Sequence, residues 1–233
     1  MKDIFGTALL DYYHGNYTED LITETNISEE DELPLPYLFR NYADMPAIEQ
    51  KALQLSKGKV LDVGCGAGNH ALYLQDKGFA VTAIDTSEGA IKVNRLRGVK
   101  DARCISLLDL KDEKFDTILL LMNGAGIFQK VSRIYKYLKH LKDLLAKGGQ
   151  ILVDSSDLKY MYDEGADGGI WVPGDRYYGE LTFTVHYKGQ SGKPFDWLYL
   201  DEFRFEQACI ANNLTFEVIT RGAHFDYLAR ITA

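Results

Sequence analysis

Three glycines within five positions follow a short apolar run that contains one carboxylate. In KVLDVGCGAGNHALYL, residues 59–74, the glycines are Gly64, Gly66 and Gly68, and the carboxylate is Asp62. Glycine lets a ligand approach the main chain closely, and backbone N–H groups at the start of a helix attract anionic groups. The spacing therefore predicts a loop that holds a cofactor against its backbone.

A second acid follows at the distance typical of nucleotide-cofactor sites. Asp85 ends the next apolar run, 23 positions beyond Asp62. Dinucleotide-binding folds place GxGxxG at the first strand–helix turn and an acid about twenty residues later for the ribose hydroxyls. Here the glycines read GxGxG, and Asn69 stands where that motif has its last glycine. The spacing thus differs from that of NAD-binding proteins.

Short apolar runs separated by helical patterns must position these residues. The runs are VLDV (60–63), VTAI (81–84), ARCISL (102–107), TILLLM (117–122) and QILVD (150–154). Continuous runs of this length suit strands that are buried on both faces of a parallel sheet. Helical patterns lie between them, for example at 69–78, at 87–98 with Ser87 as the N-cap, and at 131–145. The alternation predicts the α/β class.

The composition favours a soluble protein whose acids lie mainly at one end. Apolar residues make up 46% of the 233 residues, and no apolar run approaches the roughly 18 residues of a membrane span. The formal net charge is −8, and residues 1–39 hold nine acids and one base. Such a surface repels polyphosphate backbones, so neither nucleic acid nor a membrane is an expected partner.

The cysteines and the amino-terminal residues indicate where the protein works. Cys65, Cys104 and Cys209 are scattered, and no CxxC pair is present. Neither a disulfide framework nor a metal site is therefore expected. The amino-terminal residues lack the pattern of a secretion signal. A cytoplasmic location is predicted.

The pattern from Asp62 to Gly68, followed by Asp85, resembles the cofactor signature of the class I S-adenosylmethionine-dependent methyltransferases. The resemblance covers about residues 40–155 and extends more loosely to the carboxyl end. It implies a three-layer, doubly wound α/β fold with a mostly parallel seven-stranded sheet and an antiparallel last strand. The tail fits this expectation, since 214–220 and 223–232 read as an antiparallel pair.

The same resemblance implies roles for individual residues. The glycine loop would lie against the methionine part of S-adenosylmethionine, with Asp62 holding the loop and the cofactor's ammonium. Asp85 would accept both ribose hydroxyls, since a carboxylate offers two acceptor oxygens. Asp109 would take the adenine amino group with Leu108 packed on the ring, and Arg40 would pair with the cofactor's carboxylate. The predicted cofactor-binding set, with S-adenosylhomocysteine as the product ligand, is Arg40, Asp62, Gly64, Cys65, Gly66, Gly68, Asp85, Thr86, Leu108, Asp109 and Met122.

The methyl acceptor is expected near MNG, residues 122–124, where the fourth core strand ends. Open α/β sheets bind ligands at the carboxyl ends of their strands. Family members that methylate bases or glutamine amides often carry an Asn/Asp-Pro-Pro-aromatic motif here, and the NGAG at 123–126 lacks it. Asn123 is either a pocket residue or a turn former. His14, within YYHGNY, is the candidate general base if the acceptor must lose a proton.

A single domain with two additions is predicted. Its parts are an N-terminal helical lid (1–45), a cofactor-binding core (46–155), a substrate-side insertion with a β-hairpin (155–199), and a C-terminal helix with a strand pair (200–233). The lid would close over the cofactor, or alternatively its helix would pack permanently on the sheet. Either addition could form a wall of the acceptor pocket.

The leading hypothesis is methyl transfer from S-adenosylmethionine to a small molecule. One alternative is an NAD-type oxidoreductase, which the glycine spacing and the lack of a second catalytic domain disfavour. The other is a non-catalytic protein that keeps the fold and the cofactor, since a fold does not dictate a function. The acceptor atom and the oligomeric state stay open.

Overall fold

The computed structural model describes residues 3–162, 171–172, 174 and 176–233. The remainder of the predicted insertion, at 163–170, 173 and 175, lies outside the described residues. The helices are α1 (Ile4–Tyr13), α2 (Leu35–Leu38), α3 (Ala47–Leu55), α4 (Asn69–Asp76), α5 (Glu88–Arg97), α6 (Ile134–Leu144) and α7 (Glu202–Ala211). The strands are β1 (Leu21–Thr25), β2 (Asp31–Leu33), β3 (Lys59–Val63), β4 (Ala80–Asp85), β5 (Ala102–Cys104), β6 (Phe115–Leu120), β7 (Leu145–Ser156), β8 (Glu180–Tyr187), β9 (Gln190–Ser191), β10 (Phe195–Leu198), β11 (Thr215–Arg221) and β12 (Asp226–Thr232).

The core sheet has the strand order β11-β12-β7-β6-β3-β4-β5, seven strands within the described ranges. The pairs from β7 to β5 are parallel, whereas β12 runs antiparallel to both of its neighbours. Helices cover both faces, which is why β3, β6 and β7 read as nearly continuous apolar runs. The predicted α/β fold with an antiparallel last strand is confirmed.

Local sequence signals explain where the core helices begin and end. The Ser87 hydroxyl accepts the N–H of Ala90 at the start of α5, and Gly98 ends that helix at φ 97°. The helix predicted over 131–145 is shorter than expected. Its first residues form a separate single turn, and α6 begins at Ile134. The β5 strand also ends early, because Leu107–Asp109 turn into a short helical segment.

Strands from the N-terminal extension and from the insertion pair with each other in a second sheet, which we call the roof sheet. Its order is β10-β8-β1-β2, with β9 paired to β8. The β1 strand pairs antiparallel with β8, from Ile22 opposite His186 to Thr25 opposite Phe183. The sequence predicted a helical N-terminal extension, but part of it forms strands. The β-branched LITET segment favours the extended conformation of a strand.

Helix α1 attaches the start of the chain to α5. The two helices meet at glycines, since a Cβ on Gly89 would lie 2.5 Å from the backbone of Gly6. One carboxylate oxygen of Asp3 accepts both the Ser87 hydroxyl, at 2.7 Å, and the Gly89 N–H, at 2.8 Å. The extension is thus anchored one turn from Asp85. Among the described helices, none has the length and apolar character needed to cross a bilayer.

Candidate functional site

The glycine loop turns the chain from β3 into α4 through left-handed conformations. Gly64, Gly66 and Gly68 have φ of 72°, 50° and 89°, which other residues rarely adopt. A Cβ on Gly64 would lie 3.2 Å from Ile127, and one on Gly68 would collide with Asn94. A Cβ on Gly66 would meet no atom of the described residues within 4 Å. Gly66 therefore faces open space at the carboxyl edge of the core sheet, where a ligand is expected.

Asp85 ties this loop to the start of α5. Its Oδ2 accepts the Gly66 N–H at 3.0 Å, and its Oδ1 accepts the Ser87 N–H at 2.9 Å. Burial raises the pKa of Asp85, against the lowering effect of these backbone hydrogen bonds. Each carboxylate oxygen keeps a further lone pair, so Asp85 can still accept hydroxyl groups of a ligand. Thr86 is exposed beside it.

A buried ionic cluster lies behind the glycine loop. The Arg40 guanidinium donates to both carboxylate oxygens of Glu49, and the His70 Nε2 lies 2.7 Å from Glu49 Oε2. The His70 Nδ1 lies 3.9 Å from Asp62 Oδ1. Each of these four residues exposes less than a tenth of its surface. The cluster thus links the N-terminal extension, α3, α4 and β3.

Glu49 and His70 hold each other ionised, whereas burial favours the neutral form of Asp62. Burial opposes the charge of Glu49, but His70 and Arg40 together lower the pKa of its carboxyl. Burial also opposes protonation of His70, yet Glu49 and Asp62 raise its pKa. The pKa of Asp62 is raised, first by burial. Burial of this kind is tolerated only because the groups are paired.

Two polar atoms of the cluster have no hydrogen-bond partner among the described residues. They are the Oδ2 of Asp62 and the Nε of Arg40, and both are buried. A carboxylate oxygen and a guanidinium N–H are complementary to an ammonium and a carboxylate. Together with the open space at Gly66, they fit the amino-acid end of a ligand lying along the glycine loop.

The 122–128 loop, which follows β6, starts in a strained conformation. Met122 and Asn123 have φ of 66° and 56°, and such a conformation costs about 1–3 kcal/mol for a residue other than glycine. Asp154, at the end of β7, accepts the N–H of Asn123 at 3.1 Å and that of Gly124 at 2.9 Å. The Ser156 hydroxyl donates to the Asn123 side-chain oxygen at 2.9 Å. Contacts from β7 thus hold the loop.

Three residues of this site were not predicted from the sequence. Asp154 lies near the carboxyl end of an apolar strand, as Asp62 and Asp85 do, so the pattern that identified those acids could have found it. Glu49 and His70 carry no such signal, because each sits in a helix whose composition is typical of a solvated surface. Burial raises the pKa of Asp154 to about 6.

The other predicted residues lie in different surroundings. Leu108 is half-buried and Asp109 exposed in the turn that follows β5. Cys65 is buried, and burial raises the pKa of its thiol. His14 is exposed at the end of α1, where the Tyr13 hydroxyl donates to the carbonyl of Leu96 in the last turn of α5. Asp85 precedes the first turn of α5, and a helix of the length of α5 spans about 15 Å. His14 therefore lies at the opposite end of α5 from Asp85, and its catalytic role stays a prediction.

Comparison with known proteins places this chain in a family. Residues 61–153 match the family described as methyltransferase domain. A solved SAM-dependent methyltransferase from Bacteroides fragilis, in complex with S-adenosyl-L-homocysteine, is 43% identical, with a TM-score of 0.93 over 100% of this chain and 95% of that one.

Curated relatives match over shorter stretches. A ubiquinone biosynthesis O-methyltransferase from Dinoroseobacter shibae is 31% identical over 126 residues, covering 51% of this chain and 49% of that protein. A tRNA U34 carboxymethyltransferase from Colwellia psychrerythraea is 28% identical over 131 residues, covering 53% and 38% respectively. The chain thus spans less than half the length of these curated relatives.

Proposed function

This chain belongs to the S-adenosylmethionine-dependent methyltransferases, and we propose that it transfers a methyl group from that cofactor to a small-molecule acceptor. The observation that carries the proposal is the open space at Gly66 together with two buried atoms, Asp62 Oδ2 and Arg40 Nε, that have no hydrogen-bond partner among the described residues. Family membership favours this function over that of an NAD-dependent oxidoreductase. Binding without catalysis is the alternative that the acceptor experiment below decides.

The predicted residues would bind different parts of the cofactor. Asp62 would face its ammonium, Arg40 its carboxylate and Asp85 its ribose hydroxyls. When bound, S-adenosylmethionine supplies an electrophilic methyl group on a cationic sulfonium. The chain's own task is then to fix the acceptor in line with that methyl group and to exclude water, and these effects can supply much of a rate enhancement.

The acceptor site would lie between the 122–128 loop and the aromatic residues above it. Tyr37, on α2, packs against the Arg40 guanidinium at 3.9 Å. Tyr199, which follows β10, stacks on Phe183 of the roof sheet. Burial is the main cause of the raised pKa of both tyrosines, and the charge of Asp154 adds to it, after that of Glu49 for Tyr37 and after Tyr160 for Tyr199. Both rings are therefore within reach of the field of Asp154. Buried acids beside aromatic rings favour a neutral or cationic acceptor over an anionic one.

The surface of the extension supports a small acceptor rather than a nucleic acid. Its acids are exposed on and around the outer strand of the roof sheet, including Glu29, Glu30, Asp31 and Glu32. A polyanion that approached the site over the roof would meet this field. The similarity to a tRNA U34 carboxymethyltransferase covers only 38% of that protein, so it does not extend a tRNA substrate to this chain.

Asp85→Ala is expected to weaken the binding of S-adenosylhomocysteine by about 1–3 kcal/mol, or roughly 5- to 150-fold. The variant loses the acceptor for the ribose hydroxyls and also releases the Gly66 N–H. Isothermal calorimetry measures the change. Asp101→Ala is the control, since that acid pairs with Arg103 at the surface and should leave affinity unaltered. Equal affinities for Asp85→Ala and the native protein would refute the ribose assignment.

A transfer screen tests the acceptor class. The protein is incubated with methyl-labelled S-adenosylmethionine and separate pools of small metabolites, bulk tRNA and protein. We expect label only in the metabolite pool, and none with a variant that cannot bind the cofactor. Label in tRNA would overturn the small-molecule proposal. Cofactor binding with no label in any pool would favour the non-catalytic alternative.

A further inference from the structure

The 122–128 loop is the point where the cofactor site, the core sheet and the roof sheet meet. A Cβ on Gly64 of the glycine loop would lie 3.2 Å from the Ile127 side chain. Met122 packs against the apolar cluster that contains Leu38 and Ala67. Gly126 lies so close under the roof that a Cβ there would be 1.9 Å from the Trp197 ring. A shift of this loop would therefore move the reaction centre relative to both the cofactor and the acceptor.

The conformation of this loop is not favoured by its own residues. Left-handed φ at two consecutive non-glycine residues, Met122 and Asn123, needs support from outside the loop. Two groups on β7 supply it. Asp154 accepts two consecutive backbone N–H groups, whereas Ser156 makes one side-chain hydrogen bond to Asn123. Hydrogen bonds to an ionised acceptor are the stronger kind.

We propose that Asp154 is a positioning residue whose carboxylate holds the 122–128 loop in its left-handed conformation and so sets the geometry of methyl transfer. The proposal rests on the proposed function, because it concerns the same site. It assigns no contact between Asp154 and the substrate. Both carboxylate oxygens are already engaged by the backbone of the loop.

The hydrogen bonds by which Asp154 restrains the loop depend on pH, because its carboxylate loses acceptor capacity when it is protonated. Its pKa is raised to about 6, chiefly by burial. The charged groups facing it are Glu49, which favours protonation, and His70, which opposes it, while Tyr37 and Tyr199 lie nearby and are neutral at this pH. The carboxylate is ionised above pH 6 and becomes neutral as the pH falls through 6. The loop should accordingly loosen on the acidic side.

Amide hydrogen exchange of the cofactor-free protein tests the proposal directly. Asp154→Asn leaves one acceptor oxygen in place of two, so exchange at Asn123 and Gly124 should accelerate at least about tenfold at pH 7.5. Ser156→Ala is the matched control, since it removes a hydrogen bond to the same loop without removing a charge. It should retain most of the protection. Equal exchange in Asp154→Asn and the native protein would overturn the proposal.

The native protein provides a second measurement that needs no variant. Protection of Asn123 and Gly124, corrected for intrinsic exchange, should fall between pH 7 and pH 5 relative to the core amide of Leu119. Constant protection across this range would also overturn the proposal. Because neither measurement uses a ligand, they stand even if S-adenosylhomocysteine does not bind and the proposed function fails.

The affinity for S-adenosylhomocysteine shows whether the loop matters to the cofactor. Asp62 and Asp85 also have raised pKa values, so affinity should fall in acid for any variant that keeps them. The informative comparison is between the pH-dependent loss of affinity in the native protein and that in Asp154→Asn. The native protein should lose more affinity than Asp154→Asn between pH 7.5 and pH 5.5, whereas parallel losses would refute the role of Asp154 in the site.

Discussion

Gly66→Val is expected to reduce the affinity for S-adenosylmethionine and S-adenosylhomocysteine by at least roughly 100-fold while leaving the fold intact. The native Gly66 has φ of 50°, and a Cβ there would project into space that the described part of the chain leaves open. The valine branches would therefore collide with the ligand rather than with the chain. Calorimetric titration gives the affinity, and circular dichroism checks the fold.

Gly78→Val is the control for this variant. Gly78 also has a left-handed φ, at 89°, and a Cβ on it would meet none of the described residues within 4 Å. It follows the far end of α4, one helix length from the glycine loop. Both variants should therefore lose comparable stability from backbone strain, but only Gly66→Val should lose the cofactor. Normal binding by Gly66→Val would show that the ligand does not lie against this backbone.

Glu49→Ala is expected to lower the free energy of unfolding by about 3–5 kcal/mol, the usual cost of removing one partner from a buried ion pair. The substitution leaves the buried guanidinium of Arg40 and the imidazole of His70 without their shared carboxylate. His70 can respond by releasing its proton, but Arg40 cannot. Denaturant unfolding near pH 7 measures the change through the transition midpoint.

Glu202→Ala provides the comparison for an exposed pair. Glu202 accepts two hydrogen bonds from Arg221, but the side chains expose 35% and 66% of their surfaces. Solvent screens such a pair, and its loss should cost less than about 1 kcal/mol. If Glu49→Ala destabilised the protein no more than Glu202→Ala, the buried cluster would contribute little to the fold.

Local sequence patterns predicted the core sheet and several helix ends. The runs at 60–63, 81–84 and 150–154 lie within strands of the core sheet, because strands buried on both faces cannot alternate apolar with polar side chains. The boundary of α5 at Gly98 followed from its left-handed C-cap. These features depend on neighbouring residues alone, so one sequence suffices to find them.

Features that depend on distant residues were missed. Glu49 looks like a surface residue of a polar helix, and only the fold shows that Arg40 and His70 meet on it. The roof sheet was divided in the prediction between a helical lid and a separate hairpin. Strand pairing between segments so far apart leaves no periodic signal within either segment. The 122–128 loop follows β6, close to where the sequence predicted the end of the fourth core strand, but its support from Asp154 was not predicted.

The pairing of Ile22 with His186 has a consequence for synthesis of the chain. Ile22 lies far ahead of His186 in the chain, so β1 is synthesised long before β8. All five parallel strands of the core sheet lie between them in sequence. Contacts of such separation carry a large loop-closure cost, which falls once the intervening chain is folded. The roof sheet can therefore close only after all five parallel strands of the core sheet have been made, whereas β11 and β12 of that sheet follow later.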